Sequence, residues 1–381
     1  MKNKILIIVF VLISSLSFSQ AKEYYGLLRK AERKIVINQL DSSVYYYNTA
    51  FENHDYPFVK DILAGACVAH YANDTIKLYY YLEVLLNRGM SLKELNYFLK
   101  KRPNDKKIQF YKNHFKEFQN RYLASIDKKV ESAFRELDKR NQIDLSYARI
   151  KFGRGTPEYF EQREKDNDKL VEKYLSLIQK YGYPDEKKCG LGSSISIYWT
   201  NDNKKTFNKD IIYESITKPD IREKKNDSVF FGYSYIKNTS LTKYYTRRGN
   251  SFLWHINLDK YPQLDSVVKL QLNQLKLYQN FYAACRERSR EGMEEMEDYC
   301  IAWESKSKQK YGFDLKKIIQ NADVVSINKR RASIYIRTLQ EDLELFEALQ
   351  KLEGLKYKYY FKRKAKGKDL FFDALFTRTM P

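Results

Sequence analysis

His255 is the residue with the clearest claim to chemistry. It stands between Trp254 and Ile256, with Asp259 four positions on, so apolar neighbours and a carboxylate both fall within reach of one imidazole. Such a setting desolvates and orients a histidine and suits a general base, with Asp259 as its partner. One titrating side chain is not a site, however, because catalysis needs several convergent groups. The chain has only four histidines and four cysteines in 381 residues. It contains no zinc-peptidase helix motif, paired-cysteine metal motif, calcium loop, phosphate loop or nucleophile elbow. The acidic run Glu291, Glu294, Glu295, Glu297 and Asp298 lacks the alternating oxygen ligands of a calcium site and reads as a solvated helix face. Neither a cofactor nor a metal is expected. A non-enzymatic role leads, with hydrolase-like chemistry at His255 as the alternative.

Cys285 and Cys300 lie 15 residues apart. On one straight helix that spacing is about 22 Å, far beyond the roughly 7 Å limit for a disulfide. Gly292 falls near the midpoint. If the chain reverses around it, the two sulfurs meet across a helix hairpin and an oxidising compartment would join them. Cys67, on a small-residue helix face, is expected to be core. Near the end of the chain, Lys358, Lys362, Arg363 and Lys364 alternate with Tyr357, Tyr359, Tyr360 and Phe361. Basic residues interleaved with rings suit a polyanion. In an exported protein an anionic lipid or glycan fits better than nucleic acid, and a merely solvated basic face is the plain alternative.

Several features place and bound the chain as a whole. Lys2 and Lys4, the apolar run Ile5–Ile13 and the small residues around Ser17 and Ser19 form a secretory leader, expected to end after Ser19 or Ala21. Its apolar run is too short to span a bilayer, which takes about 20 residues. The expected product is an exported chain, periplasmic or extracellular, without a transmembrane segment. The formal charge of +21 favours weak contact with anionic surfaces.

A repeat organises the residues after the leader. Tyr45-Tyr46-Tyr47 recurs as Tyr79-Tyr80-Tyr81, and the same offset of 34 pairs Val44 with Leu78 and Phe51 with Leu85. Polar turns, Asn38 to Asp41 and Ala72 to Thr75, precede both copies. Leu27, Leu28, Ala31 and Ile35 make a helical stripe upstream, with Ile62, Ala66, Cys67 and Ala69 as its small-residue counterpart. A period of 34 with alternating helices resembles tetratricopeptide-type hairpins over about residues 22–118. The resemblance implies a stacked array with a groove that binds a protein or peptide segment. Tyr45, Tyr46, Tyr79 and Tyr80 are the candidate contacts, although most tyrosines are expected in the core. No tryptophan opens either helix, which departs from the repeat's consensus.

Gly153, Gly155 and Pro157 mark a boundary after residue 150. A helix is predicted over Pro157–Tyr181, stopped by Gly182 and Pro184. Lys180-Tyr181-Gly182-Tyr183-Pro184 and Trp254-His255-Ile256-Asn257-Leu258-Asp259 resemble the Lys-Tyr-Gly-Trp-Pro and Gln-His-x-Asp type motifs of an uncharacterised bacterial domain family, over 160–190 and 252–270. That resemblance implies no particular activity. Period-two stretches at Ile195–Trp199, Val229–Tyr235 and Phe252–Ile256 predict a small antiparallel sheet. The expected architecture is mainly α: a leader over 1–21, helical hairpins over 22–150, and a mostly helical domain with a small antiparallel β element over 151–381. The leading expected function is an exported protein-interaction scaffold.

Overall fold

The computed structural model describes residues 2–153, 155–190, 253, 256–277, 279, 282–283, 319–320 and 323–353. Helices α1 (Lys2–Val36) and α2 (Leu40–Glu52) form the first hairpin, α3 (Val59–Tyr71) and α4 (Thr75–Asn87) the second, α5 (Leu92–Lys101) and α6 (Lys106–Asn113) the third. Then come α7 (Phe115–Ser125), α8 (Lys128–Phe152), α9 (Pro157–Tyr181), the short α10 (Glu186–Cys189), α11 (Pro262–Asn273), α12 (Val324–Ala332) and α13 (Leu339–Glu353). The described chain divides into two compact units, one of residues 1–122 with 265–380 and one of residues 123–264.

Local chemistry sets the ends of these helices. Asn38 and Asn73 adopt left-handed backbone (φ 57° and 60°) just after α1 and α3. Asparagine tolerates that conformation better than other side-chain-bearing residues, so the two polar turns reverse the chain in the same way. Asp74 caps α4 by accepting from the Lys77 amide, and Asp105 caps α6 by accepting from Lys107 and Ile108. Ser91 and Glu94 open α5 with a reciprocal capping box. Arg102 to Asp105 separates α5 from α6, where the proline-containing turn breaks the apolar periodicity.

The hairpins stack in two rows. Among the first helices, the Tyr24 hydroxyl of α1 donates to Asp61 of α3, and Tyr71 of α3 shares a hydroxyl hydrogen bond with Tyr97 of α5. Among the second helices, the Phe51 ring of α2 meets Tyr81 of α4 edge-on, and Tyr111 of α6 donates to the Tyr79 carbonyl. Equivalent positions of the repeat are equivalently buried: Val44 with Leu78, Tyr47 with Tyr81. Helix α3 is the centre of the stack, buried from Val59 to Ala69. Its small residues let neighbours approach closely; a Cβ on Gly65 would sit 2.9 Å from the Phe51 ring. Cys67 lies in this core, fully buried.

Residues from the far end of the chain complete the first unit. Helix α13 packs on α1, and Tyr335 stacks on Tyr25 with ring centroids 5.3 Å apart. In the second unit α8 and α9 pack face to face, with Phe134 edge-on to Tyr174. Thr156 caps α9 and Pro157 occupies its first turn; Gly182, at φ 75°, ends it. The helix predicted over Pro157–Tyr181 is present with those bounds.

The described residues are mainly helical and none forms a strand. The expected antiparallel element finds no support. Two of its stretches, Ile195–Trp199 and Val229–Tyr235, lie outside the described residues. In the third, Leu253 and Ile256 are both buried and joined by a three-residue turn, Ile256 N–H to the Leu253 carbonyl. The alternation of aromatic and polar residues suggests a two-residue period there, whereas the buried spacing is that of a turn. Among the described residues no helix is long and apolar enough to cross a membrane.

Candidate functional site

A cavity of about 540 Å³ opens beside the first hairpin. Its first wall is a polar face of α1, turned away from the buried Leu28, Ala31 and Ile35: Arg29, Lys30, Arg33 and Lys34 recur there at helical spacing, with Ile37 just beyond the helix. Tyr46 of α2 supplies a second wall, and Arg337 with Glu341, Glu344 and Leu345 of α13 a third. Thr338 and Glu341 cap α13 reciprocally, each side chain accepting from the other's backbone N–H. This fixes Glu341, which accepts from Arg33 at 2.7 Å. Arg29 donates one Nη2 hydrogen to the Ile336 carbonyl at 2.7 Å, and its buried Nε has no partner. Burial is the first cause pulling the Arg29 cation below its usual pKa, with Glu341 and Glu32 opposing it.

Arg337 and Glu32 connect the cavity to a buried charge network. Arg337 pairs with Glu32 and with Asp342, and Asp342 also holds Arg331, which is 1% exposed. Burial pushes the Asp342 carboxyl up, but Arg331 and Arg337 outweigh it and hold that carboxyl below its usual value. Glu32 goes the other way: burial raises it more than Arg337 lowers it. On α3, Lys60 is 1% exposed beside Asp61. Burial brings the Lys60 amine down to about 8 against the pull of Asp61, and lifts the Asp61 carboxyl to about 6 against Lys60 and the Tyr24 hydrogen bond. The buried hydroxyls of Tyr47 and Ser43 have no hydrogen-bond partner.

The tyrosines singled out from the sequence divide by role. Tyr45 and Tyr80 are 64% and 57% exposed, while Tyr46 and Tyr79 are half-buried. Tyr46 joins the cavity wall with the Lys30 amine 5.9 Å above its ring. Tyr79 donates to the Asp105 carboxylate at 2.8 Å and so ties α4 to the start of α6. Asp259 sits exposed in the 3₁₀ turn Leu258–Lys260, its amide donating to the Asn257 side chain. Near it, Tyr261 donates to Asp168 and Lys260 to Glu164, fastening that turn to α9. His255, Cys285, Cys300, Lys358, Lys362, Arg363 and Lys364 lie outside the described residues, as does the acidic run from Glu291. Among the described residues no group of three or more His, Cys, Asp or Glu side chains is placed to hold a metal ion.

Sequence reasoning missed Arg29, Lys60, Asp61, Arg337 and Asp342. One signal was present: Lys60-Asp61 interrupts an otherwise apolar helix, Val59 to Ala69, whose length leaves no solvated face for them. Comparison with protein-family models, with characterised proteins and with solved structures finds no match.

Proposed function

We propose that this protein is an exported, non-enzymatic scaffold that docks a protein segment on its stacked hairpins. The observation that carries this reading is an exposed ring on each successive second helix: Tyr45 on α2, Tyr80 on α4 and Phe110 on α6, the last 45% exposed. These helices are joined laterally. The Lys77 amine of α4 donates to the Asn48 side chain of α2 at 2.5 Å, and the Tyr79–Asp105 bond ties α4 to the start of α6. Lysines accompany the rings, Lys77 over Tyr80 at 6.0 Å and Lys107 over Phe110 at 5.4 Å. Rings that offer area at low entropy cost, with cations beside them, suit a segment carrying apolar and acidic residues. The positive charge of the chain attracts such a segment over longer range. The readings through His255 and through the basic aromatic C-terminal segment rest on residues outside the described set, and no further observation favours them.

Display of random peptides against the purified full chain tests the proposal. Enriched peptides are expected to be acidic and apolar, and to bind the Tyr45→Ala/Tyr80→Ala double variant at least about tenfold more weakly, the loss usual for truncated interface anchors. Circular dichroism would confirm that the variant keeps its helices. Failure to enrich any peptide, or unchanged affinity in the double variant, would overturn the reading.

A further inference from the structure

We propose that the cavity between α1, α2 and α13 binds a small amphipathic anion, with its carboxylate or phosphate head on Arg29 and Lys30 and its apolar body against Val36, Ile37 and Tyr46. The volume of about 540 Å³ lies within the range of small-molecule sites, roughly 300–1,000 Å³. Charge within the lining is unbalanced: Arg29, Lys30, Arg33, Lys34 and Arg337 face only Glu32, Glu341 and Glu344. The acids are already engaged. Glu32 holds Arg337, Glu341 holds Arg33, and Glu344 accepts from the Gln340 amide. The remaining cations hydrogen-bond to or lie over neutral groups, with Glu341 and Glu32 acting on Arg29 only through the field. Arg29 donates to a backbone carbonyl, Lys34 to the Gln39 amide oxygen at 2.7 Å, and Lys30 lies over the Tyr46 ring.

Arg29 identifies the head group. Its guanidinium lines the cavity and makes one hydrogen bond, from Nη2 to the Ile336 carbonyl, so an oxyanion in the cavity would gain a charge-assisted partner there. Arg33 and Arg337 already hydrogen-bond to Glu341 and Glu32, which leaves Arg29 as the guanidinium in the lining without a carboxylate hydrogen bond. The apolar end is equally open. Ile37 is 57% exposed, and Val36 and Tyr46 in the lining are partly exposed. Polar recognition at one end and apolar contact at the other select an acid with a hydrocarbon or aromatic body over a bare inorganic ion. The proposal does not rest on peptide docking, since Tyr45, Tyr80 and Phe110 are not in the lining.

Calorimetric titration of the full chain with 4-phenylbutyrate, phenyl phosphate, 4-phenylbutyramide and inorganic phosphate tests it. At least one of the two amphipathic anions is expected to bind at or below about 1 mM, with the uncharged amide and inorganic phosphate about tenfold weaker or worse. The tighter of the two anions assigns the head group. Arg29→Gln should weaken that ligand about tenfold, the loss of one charge-assisted contact. Since Arg29 also touches the Ile336 carbonyl, Lys30→Gln, at an exposed position, serves as a second variant and should weaken binding several-fold with the fold intact. Ile37→Ser should weaken the phenyl ligands and leave inorganic phosphate unchanged. Amide binding as tight as the acid, phosphate binding as tight as phenyl phosphate, or affinity unchanged in both cation variants would each overturn the proposal.

Discussion

Burial lowers the His70 imidazole to about 4, and the nearby Arg102 cation adds to the shift. The geometry agrees: Arg102 donates from Nε to His70 Nδ1 at 2.9 Å, which requires a neutral ring. The unfolded chain therefore binds more protons than the folded one between about 4 and 6.5, so this residue's contribution to stability is lost as pH falls through that window. Asp61 has the opposite sign. With its carboxyl raised from 3.8 to about 6, the folded chain binds more protons in that interval. Its contribution falls as pH rises from about 4 to 6, by on the order of 2–3 kcal/mol. The two slopes oppose each other in the wild type, and single variants separate them. In urea titrations His70→Asn should lose stability less steeply than wild type on acidification from pH 6.5. Asp61→Asn should gain on wild type as pH rises from 4 to 6. Parallel pH profiles for all three proteins would contradict the charge states assigned to both residues.

At the scale of elements, the turns between helices depend on residues that tolerate left-handed backbone. Gly89, at φ 93° after α4, also faces a wall: a Cβ there would lie 2.7 Å from the Tyr122 ring. Gly89→Ala is expected to cost about 3 kcal/mol, combining backbone strain with a steric clash. Asn38→Ala shares the left-handed strain, but Asn38 is exposed, so it should cost only about 1 kcal/mol. Urea midpoints of the two variants measure the difference directly, and equal losses would mean that the Tyr122 ring moves aside freely. Much of this scale is legible in the chain. Asp74, Ser91, Asp105 and Thr156 are recognisable caps, and the offset of 34 correctly aligns Val44 with Leu78. The aromatic alternation before Leu258 is misleading because rings do not by themselves distinguish a strand from a tight turn.

At the scale of the molecule, the first unit is closed by residues some 300 positions from its beginning. Arg337 reaches Glu32 across a separation of 305 residues, and Tyr335 stacks on Tyr25. A chain ended after residue 322 would lose α12 and α13 and leave Glu32 without its cation. Breaking a buried pair by removing one partner costs about 3–5 kcal/mol. Amide exchange in α1 and α2 of the truncated chain should accelerate accordingly, while exchange in α8 and α9 of the other unit should be unchanged. Unaltered protection of α1 would show that the hairpins hold without their distant partner. The same truncation removes the third wall of the cavity and should abolish binding of the amphipathic anions.

Helix starts, stops and the repeat were determined by the sequence alone, because capping, left-handed turns and apolar periodicity are energies between residues within a few positions of each other. The tertiary structure decided which member of each tyrosine triplet is buried, since neighbouring positions on a helix differ by about 100° and only the packing partner selects the inward one. It also decided that Lys60 and Asp61 lie in the core. The cavity belongs wholly to this second kind of information. Arg29, Tyr46 and Arg337 lie on separate stretches of chain, and no local interaction requires them to share a wall. They meet where Arg337, from near the far end of the chain, pairs with Glu32 of α1.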